Sequence, residues 1–221
     1  ISNYNYGEFV LDAVKSIENQ TYKGDIRIYL VDDGSTDGSW EKIKDYLIEP
    51  NSADIGPCVG ELSTPCGKQK INIIEKEKSQ FIRIENSGAS NARNVAIYSA
   101  MDWADMFAIL DADDEYKPEK ISKLVEVLEL DPLIGVAYAD YDIIKTYGGN
   151  AYTKEELKES YSREKLMQRC IVHSGALIKK EYIKSIILAN GEIYKTKLHG
   201  PASQGFIGCT EDYDLWIRLS D

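Results

Sequence analysis

"FAILDADDEYKP", Phe107 to Pro118, places three carboxylates within four residues directly after an apolar run that reads as a buried strand. Asp111, Asp113 and Asp114 repel one another, and that repulsion costs free energy unless a cation or hydrogen-bond donors sit among them. Something positive is expected there. Asp111 and Asp113 alternate across an extended backbone, yet a turn beginning at Ala112 can bring both toward a hard divalent cation, Mg²⁺ or Mn²⁺, with phosphate oxygens and water completing its octahedron. Acids capping the turn before a helix at Pro118 would explain Asp114 and Glu115 well, but Asp111 and Asp113 poorly.

A second acidic pair, Asp32-Asp33, closes the apolar run "IRIYLV". Helical spacing of Val10, Ala13, Val14 and Ile17 precedes it, and Trp40, Ile43 and Leu47 mark a helix after it, with Asp37 as its cap. The Pro-, Gly-, Ser- and Asn-rich stretch 49–70 reads as an exposed insertion. "INII" (71–74) and "FIRI" (81–84) read as short strands, "SNARNVAIYSAM" (90–101) as a helix capped by Ser90, and "PEKISKLVEVLEL" as a helix opened by Pro118. Beyond it, 135–147 predicts one or two strands, 154–167 a helix and 170–178 a further strand. This alternation implies an α/β fold with an open, largely parallel sheet covered on both faces. Ligands gather at the carboxyl ends of the strands in such a sheet, so both acidic clusters are expected to face one crevice.

Composition narrows the function. The chain has 221 residues, enough for one α/β domain, and 37 acidic against 26 basic residues give a formal charge of -11, which disfavours a nucleic-acid partner or an anionic membrane surface. No apolar stretch approaches the roughly 18 residues of a membrane span and no secretory signal stands at the start, so the expected location is the cytoplasm, with the inner face of the membrane as a second option. Cys58, Cys66, Cys170 and Cys209 show no zinc spacing and read as reduced thiols, although Cys58 and Cys66 could bridge in an oxidising compartment. The chain starts at Ile1 rather than Met and stops within "LWIRLSD", which reads as mid-helix; a fragment is expected, with any anchor outside it.

Rival chemistries fail on particular positions. An EF-hand loop from Asp111 needs Gly sixth and Glu twelfth, where the chain has Tyr116 and Ser122. An aspartyl-nucleophile phosphatase carries its D-x-D in the first strand, followed by Thr or Val rather than Asp114-Glu115. No G-x-G-x-x-G occurs, which removes a dinucleotide oxidoreductase, and no glycine-rich basic loop suggests a nucleotidyltransferase.

Five segments in order, "SNYNYGEFVLDAVKSIENQTY", "YLVDDGSTDGSW", "ENSGASNARNVAI", "LDADDEYKP" and "EDYDLWIRL", resemble glycosyltransferase family 2, inverting enzymes of the GT-A nucleotide-sugar fold. The resemblance covers Ser2 to about Tyr141 and returns at Glu211 to Leu219. It implies one GT-A domain over 1–221, with a donor half (1–141) and an acceptor half (142–221). It also implies that Ser2 and Tyr4 line the base pocket, that Asp33, with Asp32 beside it, accepts from the base imide, most often uracil, and that Arg93 closes the nucleotide pocket. Asp111 is expected to meet ribose or metal, and Asp113 to ligate the Mn²⁺ or Mg²⁺ that bridges the phosphates. Asp212 matches the family's general base, with Glu211 close enough to raise its pKa; the plainer reading has both acids favouring the positive end of the helix that follows. The implied partners are a UDP-sugar donor and a glycan or lipid-linked saccharide acceptor. A binding module without turnover and a nucleotide-sugar hydrolase are the alternatives. Two departures stand out: the family's first strand would precede Ser2, and the 49–70 insertion is longer than expected. His173 stays outside the catalytic set as a hydrogen-bonded loop or acceptor-contacting residue, Trp216 is expected in the core, and the Gly-rich loop around His199 is expected to form a lid.

Overall fold

A computed structural model describes residues 1–47, 58–64, 67–76, 79–147, 150–196 and 210–220. The elements in chain order are β1 (Ser2–Asn3), α1 (Val10–Glu18), β2 (Tyr29–Asp32), α2 (Ser39–Leu47), β3 (Cys58–Thr64), β4 (Gly67–Lys76), β5 (Ser79–Arg83), α3 (Ala89–Ala100), β6 (Met106–Ala108), α4 (Lys120–Leu130), β7 (Val136–Ala137), β8 (Tyr141–Tyr147), β9 (Asn150–Glu156), α5 (Arg163–Gln168), β10 (Leu177–Lys179), α6 (Lys180–Ser185) and α7 (Thr210–Leu219).

Alternation along β2 shows how the sequence builds layers. Successive strand residues point to opposite faces. Leu30 packs with Val10 and Val14 of α1 and with Trp40 and Ile43 of α2, whereas Val31 packs with Ile82 of β5 and with Ala92 and Val95 of α3. Both are fully buried, and each side chain contributes about 1.5–3 kcal/mol by leaving water. Helices therefore cover the sheet on both faces, as the α/β GT-A reading requires. Farther along, β6, β10, α3, α6 and α7 share a second core around Ile178, Ile183, Leu215 and Trp216.

The sheet is mixed. In the order β1-β2-β5-β4-β3 the first three strands run parallel and the last two antiparallel. A second sheet, β6-β10-β7, is antiparallel throughout. A single parallel bridge, Ser2 to Asp111, links the two. The largely parallel sheet expected from sequence thus holds at the centre, where the acidic clusters lie, and gives way to antiparallel pairing at the edges. Between β2 and the segment 104–110 runs a slot of about 550 Å³ lined by Ile26, Ile28, Phe107 and Ile109. The backbone nitrogen of Ile1 donates to the Tyr29 carbonyl at 2.8 Å.

Four local expectations are corrected. Residues 58–64 of the insertion form β3, which pairs with β4 from Cys58 opposite Ile73 to Thr64 opposite Gly67; cross-strand backbone bonding supplies what the Gly- and Ser-containing composition does not advertise. Ser90 is not the cap of α3: the N-cap is Gly88, at φ +94°, with no side-chain cap. The helix expected over 154–167 divides, because Lys154–Glu156 complete the β8–β9 hairpin and only Arg163–Gln168 coil, capped by Ser162. The strand expected over 170–178 shrinks to Leu177–Lys179, since a turn at His173 intervenes, where Nδ1 accepts from the Gly175 N–H at 3.1 Å. Asp37 does accept from the Ser39 N–H at the start of α2, at 2.9 Å. Trp216 is core, as expected.

Candidate active site

Register places the first acid of the pair. Asn3, Asp32 and Arg83 stand in one row across β1, β2 and β5. Asp32 is fully buried and accepts from Asn3 Nδ2 at 2.7 Å and from the Ser35 N–H at 3.2 Å, with Arg83 Nε at 3.5 Å. It does not line the neighbouring pocket. Expected beside the base, Asp32 instead ties three strands together from the face opposite Asp33.

Asp33 points to the other side and does line that pocket, a cleft of about 280 Å³ shared with Ser2, Tyr4, Tyr6, Arg93, Asp111 and Asp113. Its Oδ1 accepts from the Ser87 N–H and hydroxyl at 2.8 and 3.2 Å, and its Oδ2 from the Gly88 N–H and Asn86 Nδ2 at 2.8 and 3.3 Å. Burial raises its pKa against the pull of these donors. Gly34, at φ +72°, makes the turn possible, because a Cβ there would lie 2.8 Å from the Asn86 nitrogen. Asp33 thus fixes the loop that leads into α3 and so aims Arg93 at the cleft.

Arg93, expected to close the nucleotide pocket, places a positive charge beside Asp111. Its guanidinium, almost wholly buried, donates from Nη2 to Asp111 Oδ1 at 2.8 Å and from Nη1 to Glu211 Oε1 at 3.0 Å, and Nη1 lies 3.9 Å from Asp212 Oδ1. Residues 118 apart in the chain therefore meet on one side chain. Burial favours the neutral form of Asp111, but the Arg93 charge and hydrogen bonds from Arg93 and Ser2 outweigh it, and the pKa falls. Asp212, only 6% exposed, goes the other way: burial first, then the charges of Asp111 and Glu211, raise it to about 6 although Arg93 opposes them. Asp114 rises to about 6 for the same reasons, burial ahead of Asp111 and Asp113. Asp113 is exposed at the mouth of the cleft, and its charge raises the pKa of Tyr6. Asp111 and Asp113 offer two hard oxygen donors on one rim, and no group of three or more candidate metal-holding side chains occurs among the described residues.

Residues 1–59 and 68–186 match the family described as Glycosyl transferase family 2. The chain belongs to glycosyltransferase family 2. It is 33% identical over 138 residues, 62% of its length and 34% of the relative's, to an uncharacterized glycosyltransferase of Nostoc sp.. To the glycosyltransferase GlyG of Streptococcus pneumoniae it is 27% identical over 206 residues, 85% of this chain and 58% of that one. To the UDP-Glc:alpha-D-GlcNAc-diphosphoundecaprenol beta-1,3-glucosyltransferase WfaP of Escherichia coli it is 29% identical over 224 residues, 99% of this chain and 68% of that one. The chain spans about a third to three fifths of the length of the first three curated relatives it matches.

Family 2 motifs marked both edges of the cleft but left out residues that shape it. Tyr6 lines it, and Asn3 holds Asp32; both lie inside the quoted first motif, Asn3 on β1, where alternation could have flagged it, and Tyr6 beyond the end of that strand. Tyr194, beside Arg93, carries no motif at all. His173 lies outside the cleft, packed on Tyr141 at 4.6 Å between ring centres. The lid expected around His199, Cys66 and Cys209, and the Cys58 side chain with any bridge it makes, lie outside the described residues; Cys170 Sγ donates to the Val172 carbonyl at 3.2 Å. No helix among the described residues is long and apolar enough to cross a membrane.

Proposed function

We propose that this family 2 domain transfers a sugar from a nucleoside diphosphate, UDP foremost, to a hydroxyl of a glycan or lipid-linked saccharide, inverting the anomeric carbon. The observation that carries the reading is the Arg93 bridge, because it joins a donor-side acid, Asp111, to the two acids of the acceptor half, Glu211 and Asp212. A donor sugar seated over Asp111 would then have its reacting carbon near Asp212. The activity for which the Escherichia coli relative is named favours a UDP-sugar and a lipid diphosphate acceptor. With such an acceptor the domain works at the inner face of the membrane, and residues 1–141 and 142–221 act as donor and acceptor halves of one domain.

The nucleoside fits the cleft between Ser2, Tyr4 and Asp33. All four acceptor positions of Asp33 are in use, so pairing with a uracil imide releases one of its two longer bonds, to Ser87 Oγ or Asn86 Nδ2. Asp111 and Asp113 fit a small divalent cation, which needs only one or two carboxylates when substrate phosphates complete its shell. When bound, Mn²⁺ or Mg²⁺ would stabilise negative charge on the departing diphosphate. Asp212 takes the proton of the acceptor hydroxyl, and the charge of Glu211 raises its basicity.

Calorimetry tests the donor half. UDP binding is expected to weaken at least about tenfold, 1.4 kcal/mol, in excess chelator or in Asp113→Ala. Equal affinity in all three conditions rejects the metal-bridged site. In competition UDP and dTDP are expected to displace GDP, since the Asp33 imide contact suits a pyrimidine ring; a preference for GDP rejects the base contacts.

A further inference from the structure

Three buried polar atoms at the centre of the site have no hydrogen-bond partner among the described residues: Asp212 Oδ1, the Tyr194 hydroxyl and Arg93 Nε. They belong to neighbours. The guanidinium carbon of Arg93 lies 5.4 Å from the Tyr194 ring centre, and Nη1 of the same group lies 3.9 Å from Asp212 Oδ1. Buried polar atoms in folded proteins are nearly always paired, with protein or with ordered water, because an unmet one costs its full desolvation.

Tyr194 is held for a purpose other than filling space. The ring is fully buried, and Asn94 clamps its backbone: Oδ1 accepts from the Ile193 and Tyr194 N–H groups at 3.3 and 2.7 Å, while Nδ2 donates to the Tyr194 carbonyl at 2.8 Å. Phenylalanine would satisfy that packing equally well, so the hydroxyl needs its own reason. The charges facing the phenol are Asp212, Asp111, Glu211 and Arg93, and burial together with Asp212 raises its pKa well above the usual value. Those facing Asp212 are Arg93, Asp111 and Glu211. At working pH the phenol is therefore protonated and can donate.

We propose that Tyr194 is a positioning residue for the base: its hydroxyl donates through one water to Oδ1 of Asp212, neither atom having a direct partner, and so turns Oδ2 toward the acceptor. The proposal rests on the reading of Asp212 as base. A donor to the carboxylate favours its charged form, so it opposes burial and keeps the group deprotonated near neutrality.

Carboxyl ¹³C NMR titration of the 221-residue chain tests this without turnover, with the Asp212 signal assigned by its loss in Asp212→Asn. Burial and the neighbouring charges alone put the midpoint at about 6, so with the Tyr194 donor acting the wild-type midpoint is expected below 6. Tyr194→Phe is expected to raise it by about one pH unit, tenfold in the protonation equilibrium, with UDP affinity unchanged. An unmoved midpoint overturns the proposal, and more so with a higher melting temperature, the mark of deleting an idle buried hydroxyl. Should Tyr194→Phe fail to fold, 3-fluorotyrosine at position 194 keeps the ring and strengthens the donor; the midpoint should then fall, and an unmoved one again overturns it. An Asp212→Asn chain that keeps full turnover would instead refute the base, leaving the Tyr194 contact measurable by the same titration.

Discussion

Asp212→Asn is expected to lower turnover by about 10²- to 10⁴-fold, the usual worth of a general base, while UDP affinity stays within about twofold. The substitution keeps size and shape but removes the proton acceptor, and Asp212 lies outside the lining of the nucleotide cleft. Two features equip it for the role. It stands in the first turn of α7 beside Glu211, and burial raises its pKa to about 6, near enough to neutrality to accept a proton and later release it. The base works deprotonated, so the wild-type rate should climb as pH rises through about 6 and then level off; this limb should vanish from the residual activity of Asp212→Asn. Glu211→Gln is expected to cost less, since Glu211 acts through Arg93 and through its charge on Asp212. A single displacement inverts the anomeric configuration, which NMR of the product reads directly. Retention, or wild-type turnover in Asp212→Asn, would falsify the assignment.

The positions of Asp33, Asp111 and Asp113 were legible in sequence because their signal is local. Asp111 and Asp113 follow a buried strand within three residues, and Asp33 closes β2, so apolar runs ending in acids place them at strand ends without any knowledge of the tertiary fold. Asp32 misled for the same reason: adjacent acids look equivalent in sequence, yet strand alternation sends one to the cleft and the other into a row with Asn3 and Arg83. The meeting of Arg93 with Glu211 spans 118 positions, carries no spacing signal and was not anticipated, the family resemblance having put Arg93 at the nucleotide pocket and Glu211 and Asp212 at the acceptor side without joining them. Tyr194 was invisible, because one tyrosine among 15 has no pattern. The short strands and helices from Tyr138 to Ser185 also resisted reading. Lys154–Glu156 favour a helix by propensity, and pairing with β8 overrides it.

Arg93→Met is expected to have the largest effect on stability. The side chain is 7% exposed and neutralises Asp111 and Asp212, whose side chains are 30% and 8% exposed, along with Glu211 at 26%. Removing one partner of a buried ion cluster strands the others, at about 3 kcal/mol, which for a domain of this size lowers the melting temperature by roughly 6–12 °C. Methionine preserves most of the apolar stem, so loss of packing contributes little of this. The pH dependence separates charge from shape. Arg93 holds the folded pKa of Asp111 below its ordinary value of 3.8, so that part of the stabilisation is present above 3.8 and lost as pH falls through the folded value. It also restrains Asp212, which titrates near 6 even with Arg93 in place and would titrate higher without it. The gap in melting temperature between wild type and Arg93→Met should therefore be widest above the pH at which Asp212 titrates in Arg93→Met, narrow as pH falls from there to about 6, where wild-type Asp212 also takes up its proton, and narrow again below 4. A gap that is constant from pH 8 to pH 4 would mean that Arg93 stabilises by packing alone, and the charge bridge between donor and acceptor halves would lose its energetic basis.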